Sequence, residues 1–183
     1  MYLSHDSNLS GANRSLLGIV KNIKKYDIEP IVLIPQWGEF SEELKKNKIK
    51  CIISKYYWGY YPATSKGWIY DKVKFILNFY LRNKILNEVK KIQIDIIHIN
   101  CSVIIDTGLY LSKKLNIPNV IHFREYGKED HNLSYRFGLK YLMKEINKYG
   151  NKIIFISEDL KSKFNKYLNE IPLKNKVVIY NGI

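Results

Sequence analysis

Two polar stretches carry residue types that could do chemistry: "HFREYGKEDH", His122 to His131, and "HDSNLSGANR", His5 to Arg14. In the first, His122 follows the apolar run "IPNVI", where a side chain at the end of a buried strand can reach a ligand crevice. Arg124 offers a planar donor fork suited to phosphate or carboxylate. Glu125 is placed to orient that fork or to accept from a sugar hydroxyl. A plain salt-bridged loop is the competing reading, and it fits Glu129 and Asp130. In the second stretch, Ser10 stands at a helix N-cap position with Asn13 three residues on. Gly11 lets the backbone approach a ligand closely. The free N–H groups of a first helical turn, with the helix dipole, favour an anion there. Taken alone, this loop is explained at least as well by a simple helix cap. His98, inside "IIHIN", reads as core-facing, and His5 beside the opening loop fits more than one part.

The familiar phosphate loops are absent. A Walker loop needs a GK[ST] ending, which the chain lacks. A dinucleotide fingerprint needs three spaced glycines and an acid after the second strand. Here Gly11 stands alone in the turn, Gly18 falls seven residues later, and the second strand ends "VLIPQW" without an acid. A nicotinamide enzyme is therefore excluded.

The elements that must hold these residues alternate. Apolar, β-branched runs occur at 28–35, 48–54, 94–100, 117–123, 151–157 and 175–181, with a very short one at the start, "MYL". Such runs suit strands buried on both faces. Between them, Leu16, Leu17, Ile19, Val20 and Ile23 mark a helix face. Further helical patterns cover about Trp68 to Lys91, Val103–Leu115, Leu133–Tyr149 and Glu158–Leu168. Strand and helix in alternation predict an α/β fold, a Rossmann-like doubly wound parallel sheet with helices on both faces. In such sheets ligands bind beyond the carboxyl ends of the strands. That rule gathers five polar segments on one edge: the opening loop, Asn100–Ser102, the His122 run, "SED" after "KIIFI", and "NG" after "VVIY".

Composition bounds the classes. The chain has 183 residues, 46% of them hydrophobic, enough for one domain with a core. No apolar run is long enough to span a bilayer, and "MYLSH" is too short for a signal peptide. Cys51 and Cys101, in Ile-rich runs, read as buried thiols of a cytoplasmic protein. Neither has His or Cys at ligand spacing, so no metal is expected. The net charge of +13 attracts anions. Nucleic acid is not favoured, because no recognition motif is present and the aromatics do not interleave with the cations. The 54–68 stretch, "SKYYWGYYPATSKGW", is dense in aromatics and could meet a sugar, a lipid-linked acceptor or an anionic membrane. The helix after it carries Lys72, Lys74, Arg82, Lys84, Lys90 and Lys91. A core-packed helix with a solvated charged side is favoured over a membrane face there.

These markers, in order, resemble the N-terminal domain of family 4 glycosyltransferases of the GT-B fold: "SNLSGANRSLL", "IIHINCS", "IPNVIHFREYGKEDHN", "IIFISEDLKSKF" and "VVIYNGI". The likeness covers essentially the whole chain. It implies that 1–183 is the acceptor-side half of a retaining enzyme, with the donor-binding domain outside it. It implies transfer from a nucleotide-sugar donor to a saccharide or lipid-linked acceptor, in surface polysaccharide or glycolipid synthesis, without a cofactor or metal. By that resemblance Gly11, Ala12 and Asn13 approach the donor diphosphate. His122 lies by the donor sugar and acts through a hydrogen bond. Asn100, Ser102, Arg124 and Glu125 line the acceptor side. Relatives carry two glycines and an acid in the first loop, where this chain has "SGAN". The end at "YNGI" adds the expectation that the chain alone is inactive. It would be cytoplasmic, with peripheral contact at the inner membrane face as an option. The alternative from another class is a stand-alone Rossmann-like module that binds a nucleotide or anion without catalysis.

Overall fold

The computed structural model describes residues 1–62 and 68–181. Residues 63–67 of the aromatic stretch, and Gly182 and Ile183 of "YNGI", lie outside the described residues. In chain order the elements are β1 (Tyr2–Leu3), α1 (Gly11–Asn22), β2 (Ile31–Ile34), α2 (Glu39–Lys46), β3 (Lys50–Ile53), β4 (Tyr60–Pro62), α3 (Trp68–Val89) and β5 (Ile97–Ile99). They continue with α4 (Ile105–Leu115), β6 (Asn119–Phe123), α5 (Lys128–His131), β7 (Leu133–Tyr135), α6 (Leu139–Tyr149), β8 (Lys152–Phe155), α7 (Glu158–Asn165) and β9 (Lys176–Val178).

Seven strands form one parallel sheet in the order β3-β2-β1-β5-β6-β8-β9. Alternation along each strand divides the side chains between two layers. Leu3, Leu33, Ile99, Ile121, Phe123 and Phe155 pack with the inner faces of α3, α4, α6 and α7. Tyr2, Val32 and Ile34 pack with Leu16 and Val20 of α1 and Phe40 and Leu44 of α2. The fold is the doubly wound Rossmann-like sheet that the alternating pattern predicts. Strand order reverses between β1 and β5, which opens the crevice at that switch point.

Three local features depart from the sequence reading. The helix α2 is not among the expected elements, although Phe40 and Leu44 stand one turn apart with acids before and lysines after. The helix expected over Leu133–Tyr149 begins only at Leu139, because Leu133–Tyr135 pairs antiparallel with β4, with Tyr60 opposite Tyr135. Gly138, at φ 79°, makes the turn between them in a conformation that disfavours a side chain.

The third departure concerns α3. Its C-terminal half is core-packed, through Ile85, Leu86 and Val89, and Arg82 pairs with Asp106 of α4. Among the described side chains of its N-terminal half, the Asn78 amide donates to Tyr57 O at 3.1 Å and accepts from Tyr57 N–H at 3.0 Å. The apolar side chains around it, Val73, Ile76, Leu77, Phe79 and Tyr80, are exposed. The core-packed reading thus holds for half of this helix. Apolar residues on most sides of the other half give it no single inward stripe.

Candidate functional site

Four of the five polar segments at the strand ends meet at one cavity, and the fifth, "SED", touches the His122 run through Asp159, which accepts from the Tyr126 hydroxyl. A cavity of about 590 Å3 opens at the carboxyl edge, lined by His5, Gly11 and Ala12 after β1, Cys101 after β5, and Arg124 and Glu125 after β6. Ser10, Trp58, Val103 and Asn181 complete the wall.

The opening loop is shaped from inside. Asn13 is fully buried and its amide is saturated. Its Oδ1 accepts from Ser4 Oγ at 2.5 Å, and its Nδ2 donates to Asp6 Oδ1 at 2.5 Å and Asn8 O at 2.7 Å. The Asn13 side chain is therefore spent inside the loop. A buried amide so placed folds the loop into its turn. What remains for a ligand is backbone. The first intrahelical bond runs from Arg14 N–H to Ser10 O at 2.8 Å, so the N–H groups of Gly11, Ala12 and Asn13 precede the helical ladder. Gly11 is helical, and a Cβ built there meets nothing within 4 Å. Ser10 occupies the N-cap position, yet its side chain makes no cap bond and its buried Oγ has no partner. The capping expected of it is absent.

The opposite wall is a polar lattice. Arg124 Nε donates to Asn100 O and Oδ1, each at 3.1 Å. Its Nη1 donates to Ser15 Oγ at 3.1 Å and Asn181 Oδ1 at 2.8 Å. Its Nη2 is buried without a partner. One guanidinium thus joins the end of β5, the first helix and the segment after β9, and leaves one nitrogen unspent. Burial lowers its pKa, though an arginine stays charged.

Glu125 Oε1 accepts from the Cys101 thiol at 3.0 Å, from Ser102 N–H at 2.7 Å and from Ser102 Oγ at 2.6 Å. All three bonds fall on Oε1, and Glu125 lines the cavity. Burial, then Glu125, raises the Cys101 pKa well above that of a free thiol, so the sulfur stays protonated. Ser102 Oγ also accepts from the Tyr60 hydroxyl at 2.7 Å.

The acceptor-side expectations therefore divide. Arg124 and Glu125 line the cavity. Asn100 and Ser102 do not, because their polar atoms are consumed behind the wall. Asn100 also donates to Ala12 O at 3.2 Å, tying the wall to the helix start.

His122 lies on β6 on the face opposite Phe123, 5% exposed, with neither ring nitrogen bonded. It is not on the cavity wall. Its ring stands 5.6 Å from that of His98. Burial, the charge of Arg124 and His98 push its pKa down to about 2. The imidazole is neutral at physiological pH and cannot serve as a proton donor in its charged form.

The sequence reading left some wall residues out. Trp58 is fixed by donating Nε1–H to His5 O at 2.7 Å. Asn181 belongs to the "NG" at the last strand end, a segment the strand-end rule had marked without assigning it. Ser15, one turn after Gly11, is not itself on the wall but anchors Arg124 there, and its spacing could have suggested it. Among the described residues, no three His, Cys, Asp or Glu side chains gather as a metal site would require.

A parallel sheet with its crevice at the switch point, and an unladdered helix start facing it, define a Rossmann-like domain. The sequence matches Glycosyltransferase Family 4 over residues 9–183, and the chain belongs to that family. No curated protein matches it. Among solved structures it is similar to Anabaena Alr3699/HepE in complex with UDP and glucose, at TM-score 0.68 and 18% identity. It is also similar to a glycosyltransferase from Rickettsia africae (TM-score 0.64, 21% identity) and to Acinetobacter baumannii MurG (TM-score 0.63, 13% identity). All of this chain is covered in each case, against 44%, 42% and 46% of those chains. The chain spans under half their length, and the fold shared is that of GT-B glycosyltransferases.

Proposed function

We propose that this chain is the acceptor-side half of a retaining, nucleotide-sugar-dependent glycosyltransferase. The observation that carries the reading is the cavity itself. The unladdered turn at Gly11 and Ala12 borders it from one side and the Arg124 guanidinium from the other. Both are suited to the diphosphate of a donor. That HepE is solved with UDP-glucose supports a nucleoside-diphosphate sugar of this kind.

In this reading the C1–O bond to the diphosphate breaks while the acceptor oxygen bonds C1 on the same face. The acceptor proton passes to a leaving phosphate oxygen. The N–H groups and Arg124 stabilise charge as it develops on that oxygen. Glu125 Oε2 accepts from an acceptor hydroxyl and orients it. Asn13, Asn100 and Ser102 are positioning residues that hold the loop, Arg124 and Glu125. The acceptor is a saccharide or a lipid-linked saccharide, as in surface polysaccharide or glycolipid synthesis. The donor half lies outside these 183 residues, a reading supported by the share of the similar structures the chain covers.

Titration of the chain with UDP-glucose and with inorganic pyrophosphate, followed by amide NMR, tests the site. Shifts should appear at Gly11, Ala12 and Asn13 and weaken about tenfold in Arg124→Lys, which keeps the charge but loses the fork. Shifts elsewhere, or none, would overturn the assignment. Sugar transfer by the 183-residue chain alone would overturn the division between two halves.

A further inference from the structure

We propose that Tyr60, on the β4–β7 ribbon, is a positioning residue that acts through Ser102 to fix the orientation of the Glu125 carboxylate at the cavity wall. This role rests on the reading of Glu125 as the group that orients the acceptor.

β4 and β7 form a ribbon of their own, apart from the seven-stranded sheet. The ribbon is nonetheless tied to the back of the site. Gly59 N–H donates to Val103 O at 2.8 Å, and Arg136 N–H donates to Gly59 O at 3.1 Å. A Cβ at Gly59 would stand 3.0 Å from the Asp106 carboxyl carbon, so the backbone there lies close against the start of α4. The rings of Tyr60 and Tyr135 meet across the ribbon with centroids 4.1 Å apart. Gly127, two residues after Glu125, has φ 80° and abuts both rings. A Cβ there would lie 3.4 Å from Tyr135 Oη and 3.5 Å from Tyr60 Cε1. The ribbon therefore supports from behind both the segment after β5 and the loop that carries Glu125.

The proton count fixes the direction of the hydroxyl chain. Glu125 Oε1 accepts from Cys101, from Ser102 N–H and from Ser102 Oγ, so it carries no proton itself. Ser102 Oγ has one proton and donates it to Glu125 at 2.6 Å. The Tyr60 hydroxyl, 2.7 Å from that same oxygen, is then the donor to it. A serine hydroxyl turns freely to suit its neighbours. Donation from Tyr60 holds the Ser102 oxygen and leaves its proton aimed at Glu125. Hydrogen bonds in such a series strengthen one another. Tyr60, Ser102 and Glu125 are all buried. Burial also keeps the Tyr60 hydroxyl protonated far above the usual tyrosine range, so it remains a donor.

The test needs no ligand and uses the isotope-labelled 183-residue chain. Two NMR signals report the Glu125 pose: its carboxyl carbon shift, and hydrogen exchange of the Ser102 amide that donates to it. Tyr60→Phe keeps the ring against Tyr135 and removes only the hydroxyl. It should move the Glu125 carboxyl resonance and speed Ser102 exchange about 2- to 10-fold, the worth of one hydrogen bond. The Ile99 and Ile121 amides of the sheet should keep their wild-type rates. In a Ser102→Ala background Tyr60→Phe should not move the carboxyl signal further, because the influence passes through the serine. Tyr110→Phe removes a hydroxyl that donates to Asn83 Oδ1 at 2.6 Å and is the control for a purely structural loss. It should leave both signals unchanged. An unmoved Glu125 signal in Tyr60→Phe, or an equal change in Tyr110→Phe, would overturn the proposal. A moved Glu125 signal with no pyrophosphate response at Gly11 would overturn the diphosphate assignment alone and leave the role of Tyr60 supported.

Discussion

Replacing Gly11 by alanine should separate ligand binding from folding. Gly11 is the first residue of α1 and already has helical backbone angles, so alanine fits without strain. A Cβ at this position meets no atom within 4 Å. The unfolded chain loses freedom, so the protein should gain about 0.4–1 kcal/mol, or roughly 1–4 °C in Tm for a domain of this size. The added methyl points into the space a phosphate must enter to reach the N–H groups. Loss of one charge-assisted hydrogen bond costs about 1.5–3 kcal/mol, which lowers affinity for a nucleoside diphosphate about 10- to 100-fold. Gly18→Ala is the internal control, because Gly18 lies in the same helix and its Cβ also meets nothing within 4 Å. It should stabilise by a similar amount and leave binding untouched. Scanning calorimetry measures the first effect and an NMR titration with UDP the second. If Gly11→Ala lowers Tm, the helix start is strained in a way the geometry does not show. If it leaves affinity unchanged, the anion does not sit on this turn.

Two further outcomes concern stability. Asn13→Ala removes the side-chain bonds to Ser4 Oγ, Asp6 Oδ1 and Asn8 O and leaves a buried gap, and it should cost about 2–3 kcal/mol in urea unfolding; an unchanged midpoint would mean that Asn13 does not hold the loop. His122, at about 2 when folded against 6.5 when unfolded, binds its proton only in the unfolded chain between those values. Stability should therefore be full above about pH 6.5 and fall with pH by about 1.4 kcal/mol per unit below it. His98, lowered to about 3, contributes in the same direction. His122→Leu should remove about one proton from this dependence while leaving stability at pH 7 equal or higher. An unaltered slope would show that His122 is solvated.

The sheet was legible because its strands are short, almost wholly apolar runs between polar turns. A strand buried on both faces leaves no other residue type to use. The pairing of β4 with β7 was not legible, since Tyr60 and Tyr135 lie far apart in sequence, with α3, β5, α4, β6 and α5 between them, and neither segment alternates. At the site, the strand-end rule located the right edge. It could not tell a residue that lines from one that props. Asn13 and Gly11 stand two apart in one turn, yet the amide turns inward to Ser4 and Asp6 while the glycine faces open space. Arg124 and Asn100 differ in the same way. Residue type says that a side chain will seek partners, and only the fold says whether those partners are already inside the protein. The exposed half of α3 was hidden for the converse reason: apolar residues on a helix are expected to find a core, and here the sheet is already covered along the part they face.

The bond from Arg124 to Asn181 has a practical consequence for where the chain can be cut. A piece trimmed after Val178 would retain every strand of the sheet and would pass as an intact domain by circular dichroism. It would nonetheless lose one of the guanidinium's anchors, and Asn181 with it from the cavity wall. Arg124 would then swing on Asn100 and Ser15 alone. The boundary of the folded unit and the boundary of the working site differ here by three residues, and an expression design guided by secondary structure would choose the wrong one.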